Sequence, residues 1–456
     1  MVTAPPPAAG DTIVAVATAA GRGGVGILRL SGAMAFAVAG ALTGAPLPAP
    51  RQAALRTFHD ADGAALDQGL LLCFRAPASF TGEDVVELQG HGSAAALDAL
   101  LRAACVHGAR VARPGEFSER AFVNGKLDLA QAEAIIDLVD AGSARAAKAA
   151  FQSLEGRFST RITALAEALV AARVFIEGAL DFSDQDVDWL ADADLHARLA
   201  ALDEDLQQLS TDAQRGRVLQ QGLTVVLSGA PNVGKSTLLN QLAGVDAAIV
   251  TDVPGTTRDL LREHLTLDGL PVTLIDTAGL RDTEDAIEAE GIRRAWAAIE
   301  QADLVWFLVD DRQGMSADDA ALLARLAPGR PCWRLANKVD LSGGAVGWRP
   351  GGDPPTLGLA AKAGQGVADL VAALHRHAGL NASDEPLFTA RTRHVDALRR
   401  AAAHLRLART QLADQAFAEL AAEELRLAHD ALGEITGRFT QEDLLGRIFA
   451  GFCIGK

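Results

Sequence analysis

The spacing of apolar residues changes several times along the chain, and each change marks a different kind of element. From residue 11 to about 123 the pattern is mixed. Thr12-Ile13-Val14-Ala15-Val16 and Gly26-Ile27-Leu28-Arg29-Leu30 are short β-rich runs beside glycines, Asp84-Val85-Val86-Glu87-Leu88 is a third, and residues 95–104 read as a helix. An α/β module is expected there. From Leu127 the pattern turns helical. Phe151, Leu154, Phe158, Ile162, Leu165 and Leu169 recur in steps of three and four, which predicts one face of a long amphipathic helix. Residues 181–194 are acidic and turn-like, and another helix is expected over roughly 195–219.

At Leu223 the period shortens. Leu223-Thr224-Val225-Val226-Leu227 is a compact buried-strand pattern, and 304–309 is another. Leu265-Thr266-Leu267 and Val272-Thr273-Leu274-Ile275 flank Asp268-Gly269, which predicts a hairpin. Strands alternate with helices to about residue 378, the pattern of a doubly wound, mostly parallel sheet. Helical periodicity returns over about 391–433 and 441–449. The helical stretches on either side of the α/β block each need cover for an apolar face. They are expected to pack together, with the block inserted between them.

Composition narrows the picture. A chain of 456 residues is long enough for several domains. Its net charge of −16 rules out general affinity for nucleic acid, so any RNA contact needs a local basic patch. The arginine-rich stretch Arg391, Arg393, Arg399, Arg400, Arg406 and Arg409, opposed in sequence only by Asp396, is one candidate; a solvated helix face is the plainer reading. Four scattered cysteines, Cys73, Cys105, Cys332 and Cys453, have no metal-like spacing and suit a reducing, cytoplasmic setting. No apolar run reaches the ~18 residues of a membrane span. Residues 1–10 carry no signal-peptide pattern and read as a disordered lead-in.

The candidate chemistry lies in the α/β block. Gly229-Ala230-Pro231-Asn232-Val233-Gly234-Lys235-Ser236 fits G-x-x-x-x-G-K-[ST] between a strand and a helix. Its backbone N–H groups can cradle phosphates, Lys235 can reach the β- and γ-phosphates, and the Ser236 hydroxyl can bind Mg²⁺. Asp276-Thr277-Ala278-Gly279 follows a strand and supplies a carboxylate for Mg²⁺ through water and an N–H for the γ-phosphate. Asn337-Lys338-Val339-Asp340 selects the base, because Asp340 can accept from the guanine N1 and N2 donors, a pair adenine lacks. Thr257, within Thr256-Thr257-Arg258-Asp259, is placed to complete Mg²⁺ coordination. Ala360-Ala361-Lys362 stands where such GTPases carry Ser-Ala-Lys; the Ala361 N–H can still reach guanine, while a hydroxyl is lost. Leu280 follows Gly279 where Ras-like enzymes use a glutamine to orient water, so another group must do that; Asp282, Glu284, Asp285 and Glu288 lie just after.

Outside that block, Gly21-Arg22-Gly23-Gly24-Val25-Gly26-Ile27-Leu28-Arg29, Arg113-Pro114-Gly115-Glu116-Phe117-Ser118-Glu119-Arg120-Ala121-Phe122, Leu127-Asp128-Leu129-Ala130-Gln131-Ala132-Glu133-Ala134 and Phe452-Cys453-Ile454-Gly455-Lys456 resemble the MnmE (TrmE) family of tRNA modification GTPases. The resemblance implies a multidomain α/β plus α architecture. An N-terminal α/β folate-binding and dimerisation domain (11–126) precedes a helical domain in two parts (127–221 and 380–456). A Ras-like P-loop GTPase domain (222–379) is inserted between them. It implies a homodimer that works with the flavoprotein MnmG, as a heterotetramer or larger, to add a carboxymethylaminomethyl or aminomethyl group to the wobble uridine of certain tRNAs. The GTP-binding positions it implies are Gly229, Asn232, Val233, Gly234, Lys235, Ser236, Thr237, Thr251, Asp252, Val253, Pro254, Gly255, Thr256, Thr257, Asp276, Thr277, Ala278, Gly279, Asn337, Lys338, Asp340, Ala360, Ala361 and Lys362. A K⁺ site falls on Asn232, Thr251, Val253 and Thr256, and the water-orienting glutamate on Glu288. Arg29, Glu87, Lys126 and Lys456 map to 5-formyl- or methylene-tetrahydrofolate, and Cys453 is a candidate reactive thiol. Two other readings compete: a GTP-gated scaffold without tRNA chemistry, and a ribosome-assembly GTPase, which would need an RNA-binding appendage such as a KH domain.

Overall fold

The computed structural model describes residues 10–181, 193–245, 262–276, 300, 302–326, 329–380, 388–413, 417–438, 442–452 and 455. The chain divides into two compact units, one formed by residues 1–136 with 432–456 and the other by residues 137–431.

In the first unit β1 (Ile13–Val16), β2 (Gly23–Ser31), β3 (Ala54–His59), β4 (Ala65–Phe74), β5 (Val85–Gly92) and β6 (Arg110–Val111) form one sheet in the order β3-β4-β5-β2-β1-β6. Neighbours are antiparallel except β1 and β6. Period-two alternation sends Leu28, Leu30, Leu71, Val86 and Leu88 to one face, where α1 (Ala35–Thr43) and α2 (Ala94–Val106) cover them with Val38, Leu42 and Leu100. Ile13 and Ala15 meet Ala112 and Phe117, the latter on α3 (Glu116–Val123). Leu129 and Ala132, on α4 (Leu129–Val139), meet Phe449 and Phe452 at the end of the C-terminal helix Glu442–Ala450.

The second unit opens with α5 (Ala144–Leu154), α6 (Arg157–Asp181) and α7 (Ala193–Gln221). The single long face expected from Phe151 to Leu169 is divided between two helices. Gly156 adopts φ 86° between α5 and α6, where a left-handed residue ends a helix at little steric cost. Phe158, Ile162, Leu165 and Leu169 are buried on α6, whereas Phe151 is 50% exposed.

A second sheet follows, in the order β12-β13-β11-β10-β7-β9-β8. Its strands are β7 (Leu223–Gly229), β8 (Arg262–Leu267), β9 (Leu270–Asp276), β10 (Leu304–Asp310), β11 (Cys332–Asn337), β12 (Gly347–Arg349) and β13 (Thr356–Leu359). The inner strands are parallel, and only the edge pairs β8–β9 and β12–β13 are antiparallel. Both faces are covered, as a parallel core requires. Val226, Ile275, Val305 and Phe307 point to one side, and Val225, Leu227, Leu274 and Trp306 to the other. The expected hairpin is present at Asp268-Gly269. Its tip is held by Ser143, which donates to Gly269 O at 2.9 Å, and by His375, whose Nε2 lies 2.9 Å from Leu267 O. Helices α8 (Lys235–Val245), α9 (Ala317–Leu326) and α10 (Val339–Ser342) lie between strands, and α11 (Val367–His377) follows the last one.

Helices α12 (Thr392–Leu412) and α13 (Ala418–Thr436) come after the sheet. Helix α12 packs on α7, as expected for helical segments on either side of an insert. Phe158 stacks on Phe388 at 4.6 Å, and Thr389 exchanges hydrogen bonds with Ser153 and Asp137. Two arginines of the basic stretch are used here. Arg391 pairs with Asp137 at 2.7 Å and Arg409 with Asp203 at 2.6 Å. Asp396 is therefore not the sole opposing charge, because acids distant in sequence fold against the helix. Among the described residues no helix is long and apolar enough to cross a membrane.

Glu116 in the first unit is wholly buried and accepts from Arg110 at 2.5 and 2.9 Å, from Arg120 at 3.2 Å and from the Arg113 N–H at 2.8 Å. Burial alone would raise its carboxyl, but these donors hold it at about 2, below the ordinary 4.5. A depressed carboxylate pKa contributes stability that is complete above 4.5 and lost as pH falls from 4.5 toward 2. Glu116→Gln should flatten that loss in urea unfolding followed across this window. Glu116→Ala should cost about 1–3 kcal/mol at neutral pH, since Arg110 and the Arg113 N–H lose their acceptor while Arg120 keeps Asp11 and Glu83. An unchanged urea midpoint for both variants would remove the network from the stabilising interactions of this unit.

Candidate nucleotide-binding site

Strands β7, β9, β10, β11 and β13 run parallel, so the loops after them converge at one end of the sheet, where open α/β folds bind ligands. The loop after β7 turns into the N-terminus of α8. Asn232 has φ 63° and Gly234 φ 105°, bending the backbone into the nest that places successive N–H groups around an anion. Gly234 has a second constraint. A Cβ there would lie 2.3 Å from Asn337 Nδ2, so no side chain fits. Lys235 Nζ donates to the carbonyl oxygens of Gly229 at 2.7 Å and Ala230 at 3.1 Å. A cleft of about 960 Å³ opens over this loop. Gly229, Asn232, Gly234, Lys235, Ser236, Thr237, Asp276 and Lys338 line it, together with Ser316, Asp318, Asp319 and Leu322 at the start of α9. Its volume suits a nucleotide.

Asn337, the last residue of β11, ties the loops together. Its amide donates to Val233 O at 2.8 Å and accepts from Ala361 N at 2.9 Å. The sequence pointed Ala361 N–H at guanine; here that buried donor is taken by Asn337, since a buried amide must find an acceptor. Lys338 has φ 66° and donates to Asn232 O at 2.7 Å and to Asp310 at 2.9 Å. Asp310, at the end of β10, also accepts from Arg312 at 2.7 and 3.0 Å. Arg312, and then Lys338, hold its carboxyl well below the usual range despite burial. Sequence reasoning missed Asp310; the available signal was an acid closing an otherwise wholly apolar strand. Asp340 lies exposed in the first turn of α10, and Ala360 is buried with Lys362 exposed beside it.

Ser236 and Asp276 line the same cleft and offer only oxygen donors, a set that fits Mg²⁺. Of the expected K⁺ donors, Asn232 is at the cleft. Thr251, Asp252, Val253, Pro254, Gly255, Thr256, Thr257, Thr277, Ala278, Gly279, Leu280, Asp282, Glu284, Asp285 and Glu288 lie outside the described residues, as do Cys453 and Lys456.

In the first unit Arg29 and Glu87 are register partners on β2 and β5 and form an ion pair at 2.9 Å. Gln89 donates to the other Glu87 oxygen at 3.1 Å. The Arg29 guanidinium lies 5.8 Å from the ring centres of both Phe80 and Phe117 and donates to Gly455 O at 3.4 Å, so the C-terminal end of the chain reaches this pair. Lys126 instead donates to Pro77 O at 3.1 Å.

The chain shares 22% identity with a point variant of Era from Aquifex aeolicus bound to GDP and aluminium fluoride, over 41% of this chain and 67% of that one, at a TM-score of 0.28. A complex of Era with MgGDPNP and a 16S ribosomal RNA segment matches at 23% identity over 40% and 66%, also at 0.28. The FeoB G-domain from Methanococcus jannaschii matches at 23% over 34% of this chain and 98% of that one, at 0.25. The family assignment does not rest on these distant likenesses. It rests on two family profiles: "GTP-binding protein TrmE N-terminus" over residues 12–126 and "MnmE helical domain" over residues 129–453. With the phosphate loop lying inside the second of those spans, the chain belongs to the MnmE/TrmE family of GTP-binding proteins.

Proposed function

We propose that this chain hydrolyses GTP to GDP and phosphate and, as a homodimer with the flavoprotein MnmG, adds a carboxymethylaminomethyl or aminomethyl group to the wobble uridine of certain tRNAs. The reading keeps the domain limits 11–126, 127–221 with 380–456, and 222–379, and sets the activity in the cytoplasm. The observation that carries it is the Asn337 tie. One side chain bonds both the phosphate loop and the segment holding Ala361, which supports a single ligand meeting both.

In this reading the N–H groups of the 229–236 loop and Lys235 hold the triphosphate, Ser236 and Thr257 bind Mg²⁺, and Asp340 accepts from guanine. Asn232, with Thr251, Val253 and Thr256, holds K⁺, which neutralises charge between the phosphates where other GTPases use an arginine. Glu288 orients the attacking water, a task that Leu280 cannot perform. Arg29, Glu87, Lys126 and Lys456 bind a one-carbon tetrahydrofolate. Cations suit its glutamate tail, and Glu87 is a carboxylate able to accept paired pterin donors.

Three measurements test this reading. The purified chain should bind GTP far more tightly than ATP, and Asp340→Asn should weaken GTP at least about a hundredfold by leaving two guanine donors without their carboxylate; equal affinity for the two nucleotides would sink the assignment. Glu288→Ala should bind GTP normally yet slow single-turnover hydrolysis by about 10²-fold or more, and replacing K⁺ by Na⁺ should slow the unsubstituted enzyme. A rate unmoved by either change removes that group from the mechanism. Calorimetry should show 5-formyl-tetrahydrofolate binding to the intact protein and losing about tenfold or more in affinity with Arg29→Ala; absence of binding to the intact protein rejects the folate site.

A further inference from the structure

We infer that Asp310 acts as a specificity-positioning residue, keeping the Asp340 carboxylate free to read guanine by holding the neighbouring cations Lys338 and Arg312 to itself. The inference rests on the reading of Asp340 as the guanine-binding group and adds how that group is kept available.

Asp310 closes β10, whose seven positions are all buried, and is itself only 5% exposed. A buried carboxylate needs charged partners to be tolerated. It takes two: Lys338 Nζ at 2.9 Å, and Arg312 through Nη2 at 2.7 Å, Nε at 3.0 Å and backbone N at 3.1 Å. Lys338 is two residues before Asp340, and the Asp340 charge acts on Arg312. Arg312 is thus within electrostatic reach of Asp340, and Lys338 caps the short helix whose first turn carries Asp340. The other carboxylate in the neighbourhood, Asp311, is already held by Arg349 at 2.8 Å and by the Ser342 hydroxyl. Asp340 is left with no ion pair or side-chain hydrogen bond among the described residues.

The physical consequence is competition. A carboxylate bound to a guanidinium or ammonium offers fewer and weaker acceptor sites to the N1–H and N2–H of guanine. Asp310 removes that competition by giving both cations a better-buried anion. Without it, Arg312 and Lys338 turn to Asp340, and guanine loses most of the advantage it draws from its 2-amino group.

The test compares dissociation constants of the full chain for GDP, for IDP, which lacks the 2-amino donor, and for ADP. Each nucleotide is measured on the unsubstituted protein, on Asp310→Asn and on Asp310→Asn/Arg312→Gln. Asn is close to isosteric with Asp, and a ratio of two dissociation constants does not depend on the fraction of protein that is folded. Asp310→Asn should shrink the IDP-to-GDP ratio of dissociation constants by about tenfold, the effect of about one charge-assisted hydrogen bond. Removing Arg312 as well should restore part of the ratio, because a competing cation is gone. An unchanged ratio in Asp310→Asn overturns the inference. So does a collapse that Arg312→Gln fails to relieve, since Asp310 would then be acting through loop structure alone. If the unsubstituted chain binds ADP as tightly as GDP, the guanine assignment itself falls and this inference with it.

Discussion

The buried amide of Asn337 is the contact on which the nucleotide site depends. Five parallel strands deliver their loops to one end of the sheet, but strand pairing alone does not fix loops against one another. Asn337 supplies a donor to Val233 O and an acceptor to Ala361 N within one rigid side chain at the end of β11. It bears equally on Gly234, where any side chain would strike the Asn337 amide. The requirement for glycine at position 234 is thus set partly by the same side chain that holds the Ala361 segment. Both features are explained by one close approach.

Much of this was legible in the sequence, and the limits of that legibility are physical. The parallel strands β7 and β10 are buried on both faces, so their apolar runs are dense and their ends sharp, whereas β11, with Arg334 at its middle and its first half only partly buried, offers no such run. Strands β3 and β4 were not foreseen, because edge and near-edge antiparallel strands are half solvated; Leu55, at 60% exposed, points outward and breaks the expected alternation. The division between α5 and α6 was hidden for a different reason. Periodic spacing continues through Gly156 as though the helix did, and only its left-handed backbone shows the stop. Asp310 escaped notice because its partners Arg312 and Lys338 form a site only when β10 and β11 lie side by side.

Arginines illustrate how folding rewrites a charge pattern. The stretch on α12 reads as a basic face, yet Arg391 and Arg409 are bound to Asp137 and Asp203 in the helical packing. Arg399, Arg400 and Arg406 are exposed on the same helix, with Arg399 beside Asp396 at 3.3 Å. In the first unit Arg29 is likewise engaged, by Glu87 and by Gly455 O. There the pairing keeps both charges satisfied at a half-buried surface beside two aromatic rings.

A chain with net charge −16 binds a polyanion only if attraction is concentrated at short range. Beyond roughly 8 Å, physiological salt screens the unfavourable surplus of acids, so contact geometry decides the outcome. The 229–236 loop meets that need with backbone N–H groups, a helix N-terminus and Lys235, none of which requires a positive surface. Lys235 is prepositioned, since its ammonium rests on the carbonyls of Gly229 and Ala230 at the rim of the cleft. Lys338 is fixed in the same way by Asn232 O and Asp310. Both cations are oriented before a nucleotide arrives, so their side-chain ordering is already settled by the fold. Local order, more than net charge, is what lets so acidic a protein hold a triphosphate.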